Sequence, residues 1–143
     1  MPTKSDIEYQ LKEASQLTNV AWSALVEREM GKWRVLEHYH LGKKTQPSLI
    51  KFLGKGEVDS WLCGALSGRQ SRSVSIPESI DLEVERLFAF PLQGVSRVLL
   101  VGNDQLGNDA QRLWRLLAFS MMGDVPEVED SALAASVAAS FPS

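Results

Sequence analysis

The sequence predicts an α+β domain: helices at both ends enclosing an antiparallel sheet, with a helical layer on at least one face of that sheet. Two observations carry this. Apolar residues recur at steps of three and four near both ends of the pattern, at Ile7, Leu11, Ala14 and Leu17 and again at Leu113, Trp114 and Leu117. Between them lie two adjacent apolar runs, Arg86 to Leu92 and Val95 to Val101, separated by Gln93-Gly94 in the manner of a hairpin.

Taken in order, the first element reads as a helix from Ser5 to Met30, ended by Gly31. Ser5 or Asp6 can cap it, and Glu8 suits the positive end of the helix dipole. Its stripe of Ile7, Leu11, Ala14, Leu17, Ala21 and Leu25 is long enough to run past a compact core. It therefore either packs on the sheet or is shared with a second copy of the chain, and its length favours the second.

Trp33 to Leu41 is rich in aromatic and branched residues and reads as a strand. Simple alternation puts Val35, Glu37, Tyr39 and Leu41 on one face, and Leu36, His38 and His40 on the other. Pro47 suits the first residue of a short helix carrying Leu49, Ile50, Phe52 and Leu53. A second short helix follows from Val58 to Leu66 with Trp61 and Leu62. Ser67 to Ser75 is polar and basic, a loop or a weak edge strand.

In the hairpin, the second run is almost continuously apolar, as in a central strand covered on both faces, and Gly102 closes it. Pro91 lacks an amide donor and belongs near a strand end or at a bulge. Asp109 caps a last helix with the broad apolar face Leu113, Trp114, Leu116, Leu117, Phe119 and Met121, stopped by Gly123. Residues 1–122 make one domain. The remainder, 123–143, holds four acidic residues without Lys or Arg, then an Ala/Ser-rich run, and reads as a linker toward a further domain.

Composition narrows the function classes. At 143 residues, with 44% hydrophobic and 23% charged residues, the chain can bury a core without a metal or disulfide staple. Its single cysteine, Cys63, permits no internal disulfide and suits a reducing cytoplasm. The net charge of −3, with no basic stripe, lacks the electrostatic footprint of a nucleic-acid binder. Met1 to Gln10 has no apolar signal-peptide core, and no window approaches the roughly 18 apolar residues of a membrane span.

The run RLFAFPLQGVSRVLLVGND at 86–104, followed by DAQRLWRLLAFSMM at 109–122, resembles the GAF family. That family has a strand ending in Pro-Leu, a short turn, a strand ending in a hydrophobic residue and Gly, then an acid-capped helix. The resemblance extends loosely over 5–122 and is specific in its last third. It implies a sheet with terminal helices on one face and short helices and loops roofing a small-molecule pocket on the other. It also implies a regulatory role: a non-catalytic sensory module of a bacterial signalling protein, such as a histidine kinase or diguanylate cyclase. Such a module forms homodimers and is joined covalently to an output domain. The alternative is a scaffold that keeps the fold and dimerises without a ligand. Fold alone does not decide between them.

Candidate ligand-lining residues are His38, His40, Trp61, Arg69, Arg72, Phe88 and Phe90. The two histidines can begin a metal site but lack a third ligand by spacing, so they read as pocket liners and no metal is assigned. Arg69 and Arg72 can clamp a phosphate or carboxylate, or belong to a solvated loop. Gly54-Lys55-Gly56 lacks phosphate-loop spacing and reads as a turn between helices. Cysteines attach bilins in some members of the resembled family, but Cys63 in Trp-Leu-Cys-Gly lacks their setting and reads as a small hydrophobe. It also lacks the partner that a sulfoxide-reductase thiol cycle needs. No catalytic residue is assigned, and the cofactor is unknown.

Overall fold

The computed structural model describes residues 4–92 and 96–122. Their order is α1 (Lys4–Thr18), β1 (Trp22–Glu29), β2 (Lys32–Tyr39), α2 (Thr45–Leu53), α3 (Gly56–Gly68), β3 (Arg72–Ser75), β4 (Arg86–Leu92), β5 (Arg97–Asn103) and α4 (Asn108–Met122). The five strands form one antiparallel sheet in the order β2-β1-β5-β4-β3. The fold class is therefore α+β, as the sequence predicts. β5 is the middle strand and Val98 to Gly102 are buried, in keeping with its unbroken apolar run.

The largest difference lies in the first thirty residues. The helix does not reach Met30 but ends at Thr18. Asn19 takes a left-handed φ of 55°, and the amides of Asn19 and Val20 bond back to the carbonyls of Gln16 and Ser15. This is a Schellman closure, with Asn in the position that Gly most often fills. Trp22 to Glu29 is instead a strand, joined to β2 by a two-residue turn at Met30-Gly31. Both turn residues have positive φ, 54° and 78°, the geometry that matches strand twist. Ala24, Leu25 and Glu27 are ordinary helix residues, so propensity pointed the wrong way there, and pairing with β5 on one side and β2 on the other overrides it.

Two helical layers sandwich the sheet. α1 and α4 cover one face, where Leu11, Ala14, Leu25, Phe88, Phe90, Leu99, Val101 and Trp114 pack together. α2, α3 and the stretch 76–85 cover the other, over Trp22, Ala24, Val26, Leu87, Val98 and Leu100.

A bulge in β2 corrects the simple alternation. The register passes from Leu25↔Glu37 to Val26↔Val35, leaving Leu36 as the extra residue. Val35 then joins the α2/α3 face while Leu36 and Tyr39 join the α1/α4 face. Gly102 does not close β5 but lies within it, because the Trp22 ring crosses directly above. A Cβ there would fall 2.2 Å from Trp22 Cε2. α4 begins at Asn108, so Asp109 sits in the first turn rather than at the cap. The two-residue Gln93-Gly94 turn and the 123–143 linker fall on or extend into residues outside those described.

Candidate functional site

The face roofed by α2 and α3, where the family resemblance implies a pocket, is filled by side chains. Trp22, Leu49, Phe52, Leu53, Leu62 and Leu82 are buried there. Trp22 Nε1 donates to the Leu82 carbonyl at 2.8 Å, which satisfies the indole in the core and ties the 76–85 stretch to the sheet. Trp61 lies on α3, half-buried against the same core. Asp59 pins this roof to the β1–β2 hairpin: Arg28 donates from Nε (2.8 Å) and Nη2 (3.1 Å), and Trp33 Nε1 donates at 2.7 Å. The Arg28 guanidinium, aided by the Trp33 donor, holds the Asp59 carboxyl below the usual range against the effect of burial. Cys63 lies beside it, its Sγ 3.9 Å from Asp59 Oδ1.

The remaining candidates separate to opposite edges of the sheet. At the β2 edge, His38 and His40 line a wide groove with Glu8, Tyr9, Lys12 and Tyr39. They do not act as a pair. His38 Nε2 lies 3.0 Å from the Gln46 amide nitrogen and its Nδ1 is buried without a partner. His40, at φ 60°, leaves the strand and stacks on Tyr39 at 4.1 Å. Among the described residues, no cluster of three His, Cys, Asp or Glu side chains is placed to hold a metal.

At the β3–β4 edge, two adjoining depressions share Ser71 and Phe90. The larger, of about 170 Å³, is lined by Arg69, Ser71, Phe90, Pro91, Arg115, Ala118 and Phe119. The smaller, of about 120 Å³, is lined by Ser71, Arg72, Ser73, Phe88, Phe90 and Gln111. Four sequence candidates thus meet here, but beside α4 and not under the roof. Arg69 lines the larger depression and Arg72 the smaller, so the two do not form one clamp. Arg72 pairs with Ala89 on the roof side, and its Nη1 is only 2.9 Å from where a Cβ on Gly64 would lie. Arg115, which was not among the sequence candidates, lines the larger depression together with Arg69.

The six residues of the N-terminal stripe do not share one surface. Leu11 and Ala14 are buried against the sheet, Ile7 packs beside them, and Leu25 lies inside β1. Ala21 is exposed in the connection before β1, and Leu17 is 73% exposed on the outer side of α1. Tyr9 on α1 and Leu116 and Phe119 on α4 also face outward, at 62%, 61% and 55%. The signal for the last two was present: the apolar arc of α4 is too wide for one buried face.

No protein-family model matches the sequence, and no curated protein is significantly similar to it. Solved structures are similar in fold. One is the GAF domain of a protein assigned as a sensor histidine kinase of Pseudomonas syringae pv. tomato, with TM-score 0.59 and 14% identity over 96% of this chain and 83% of that one. Another is the GAF domain/HD domain protein of Geobacter sulfurreducens, with TM-score 0.56 and 17% identity over 83% and 95%. A third is the type II free methionine-R-sulfoxide reductase of Thermoplasma acidophilum, with TM-score 0.62 and 11% identity over 83% and 89%. The chain has the fold of GAF domains. At such identities the likeness extends to the fold alone, which regulatory domains and at least one enzyme share.

Proposed function

We propose that this chain is a non-catalytic regulatory domain of a bacterial, cytoplasmic signal-transduction protein, associating as a homodimer and passing its state to a covalently linked output domain. The observation that carries the reading is the outer surface of α1 and α4. Tyr9, Leu17, Leu116 and Phe119 project from the two helices that flank the sheet in sequence, while the same helices are already anchored inside by Leu11 and Trp114. Exposed large apolar side chains on helices with a completed inner face suit contact with a second copy. The filled roof favours association over a ligand held beneath α2 and α3.

The test is the mass of the full chain in solution. A dimer is expected, and Leu17→Glu with Phe119→Glu should yield a folded monomer whose melting temperature, unlike the parent's, does not depend on protein concentration. A dimer that survives both substitutions would remove this surface from consideration. Leu11→Glu is unsuitable for the purpose, because Leu11 is fully buried and a charge there would unfold the domain.

A second reading, small-molecule sensing, is favoured by one observation: Arg69 and Arg115 line one depression and neither bonds to a carboxylate among the described residues. The reductase likeness carries no catalytic reading, since Cys63 is the chain's single cysteine.

A further inference from the structure

We propose that the groove between the β3–β4 edge and α4 binds a small organic anion, a carboxylate or phosphate carried on a flat apolar body. The proposal rests on the sensing reading and places its site outside the roofed face. Arg28, Arg34 and Arg97 are each held by a carboxylate at 2.8 to 2.9 Å. Among the described residues Arg69 and Arg115 have no carboxylate partner, and no acidic side chain is among those lining either depression. Two exposed guanidinium groups lining one depression attract an anion and can bond it in bidentate fashion.

The rest of the groove defines the body of the ligand. Phe90 and Pro91 supply an apolar floor beside the arginines, and Phe119, 55% exposed on the outer side of α4, stands at its rim. At about 170 Å³, the larger depression is near the size of a cavity known to take one aromatic ring, ~150 Å³. Past the shared Phe90, Ser73 Oγ already accepts from Arg86 at 3.0 Å and Gln111 Nε2 donates to the Leu106 carbonyl at 2.8 Å, which leaves the Ser73 O–H and the Gln111 Oε1 for a polar group at the far end. The groove is open to solvent, so a ring-sized ligand should bind with a dissociation constant on the order of a millimolar.

Arg69 is one of five non-glycine residues with positive φ among those described. Arg69 ends α3 in the left-handed region at φ 54°, where glycine is the favoured residue, although Gly68 stands immediately before it. An arginine kept there retains a side chain at the cost of backbone strain.

Amide NMR titration of the full chain with phenyl phosphate tests the proposal, with inorganic phosphate and benzyl alcohol as controls. Saturable shifts are expected at Ser71, Phe90, Gln111 and Arg115, with each control binding at least about fivefold more weakly. Arg115→Gln and Arg69→Gly should each weaken phenyl phosphate binding about tenfold. Arg69→Gly removes the left-handed strain, so its melting temperature should equal or exceed that of the parent, separating lost binding from lost folding. Equal response to inorganic phosphate, or unchanged affinity in both variants, would overturn the assignment. Shifts centred on Tyr9, His38 and His40 would keep sensing but move it to the opposite edge. No saturable shift anywhere would remove both this site and the sensing reading.

Discussion

The two faces of the sheet are both closed, but by different means. On the α2/α3 side, closure depends on long-range fitting: Trp22 lies over Gly102, its indole nitrogen reaches the Leu82 carbonyl sixty residues away, and Asp59 clasps Arg28 and Trp33. On the α1/α4 side, two amphipathic helices lay an apolar stripe on the strands, and the buried Ser15–Ser23 hydrogen bond of 2.7 Å is a local link between α1 and β1. The first face spends its large side chains inward and keeps none for the surface. The second has apolar residues left over, and they stand outside. The interior that the fold would offer to a ligand is therefore occupied, and the features suited to recognition lie on the exterior and at the edges.

Three measurements bear on this contrast, beginning with the largest expected effect. Trp22→Ala should cost about 3–5 kcal/mol in urea unfolding, because it empties the centre of the roofed face and leaves the Leu82 carbonyl without its indole donor. A loss below about 1 kcal/mol would mean that this face is loosely filled and can admit a ligand. Gly102→Ala should cost about 1–3 kcal/mol, since the new Cβ meets the Trp22 ring and the strand backbone on either side is paired. Unchanged stability would show that the indole has room to move.

Asp59→Asn should cost on the order of 1 kcal/mol near neutral pH. The Arg28 hydrogen bonds depress the folded carboxyl, so its contribution is complete above the unfolded value of about 3.9 and is lost as pH falls through the lower folded value. The difference between parent and variant should stay constant from about pH 7 to 5 and shrink below about pH 4. A difference that persists in acid would assign the effect to packing.

Much of the fold was legible. The β4–β5 pair carried its own pattern: an unbroken apolar run marks a strand covered on both faces, and β5 is the middle strand. α2, α3 and α4 announced themselves by period and by Pro47. β1 did not. Its Ala24, Leu25, Glu27 and Arg28 continue the helical spacing of α1, and the clues against a helix were an Asn in place of Gly at the helix end and a Met-Gly turn in place of Asn-Gly. Of the residues lining the candidate groove, the sequence offered Arg69 as one of two arginines in a polar loop, and Phe88 and Phe90 from the apolar run of β4. Arg115, Gln111 and Ser71 were missed because each is an ordinary surface residue until the strand order sets β3 beside β4 and α4 beside both.

Sequence alone determined the secondary-structure class, the central strand and the amphipathic helices that flank the sheet, because periodicity and turn chemistry are local properties of a few residues. Only the tertiary structure decided that Leu11 turns inward while Leu17 turns outward, that Trp22 fills the space beneath the roof, and that Arg115 and not Arg72 lines the larger depression with Arg69. Those outcomes depend on strand order, on one bulge and on which glycine lies beneath which ring. Such relations join residues far apart in the chain, and no local pattern encodes them.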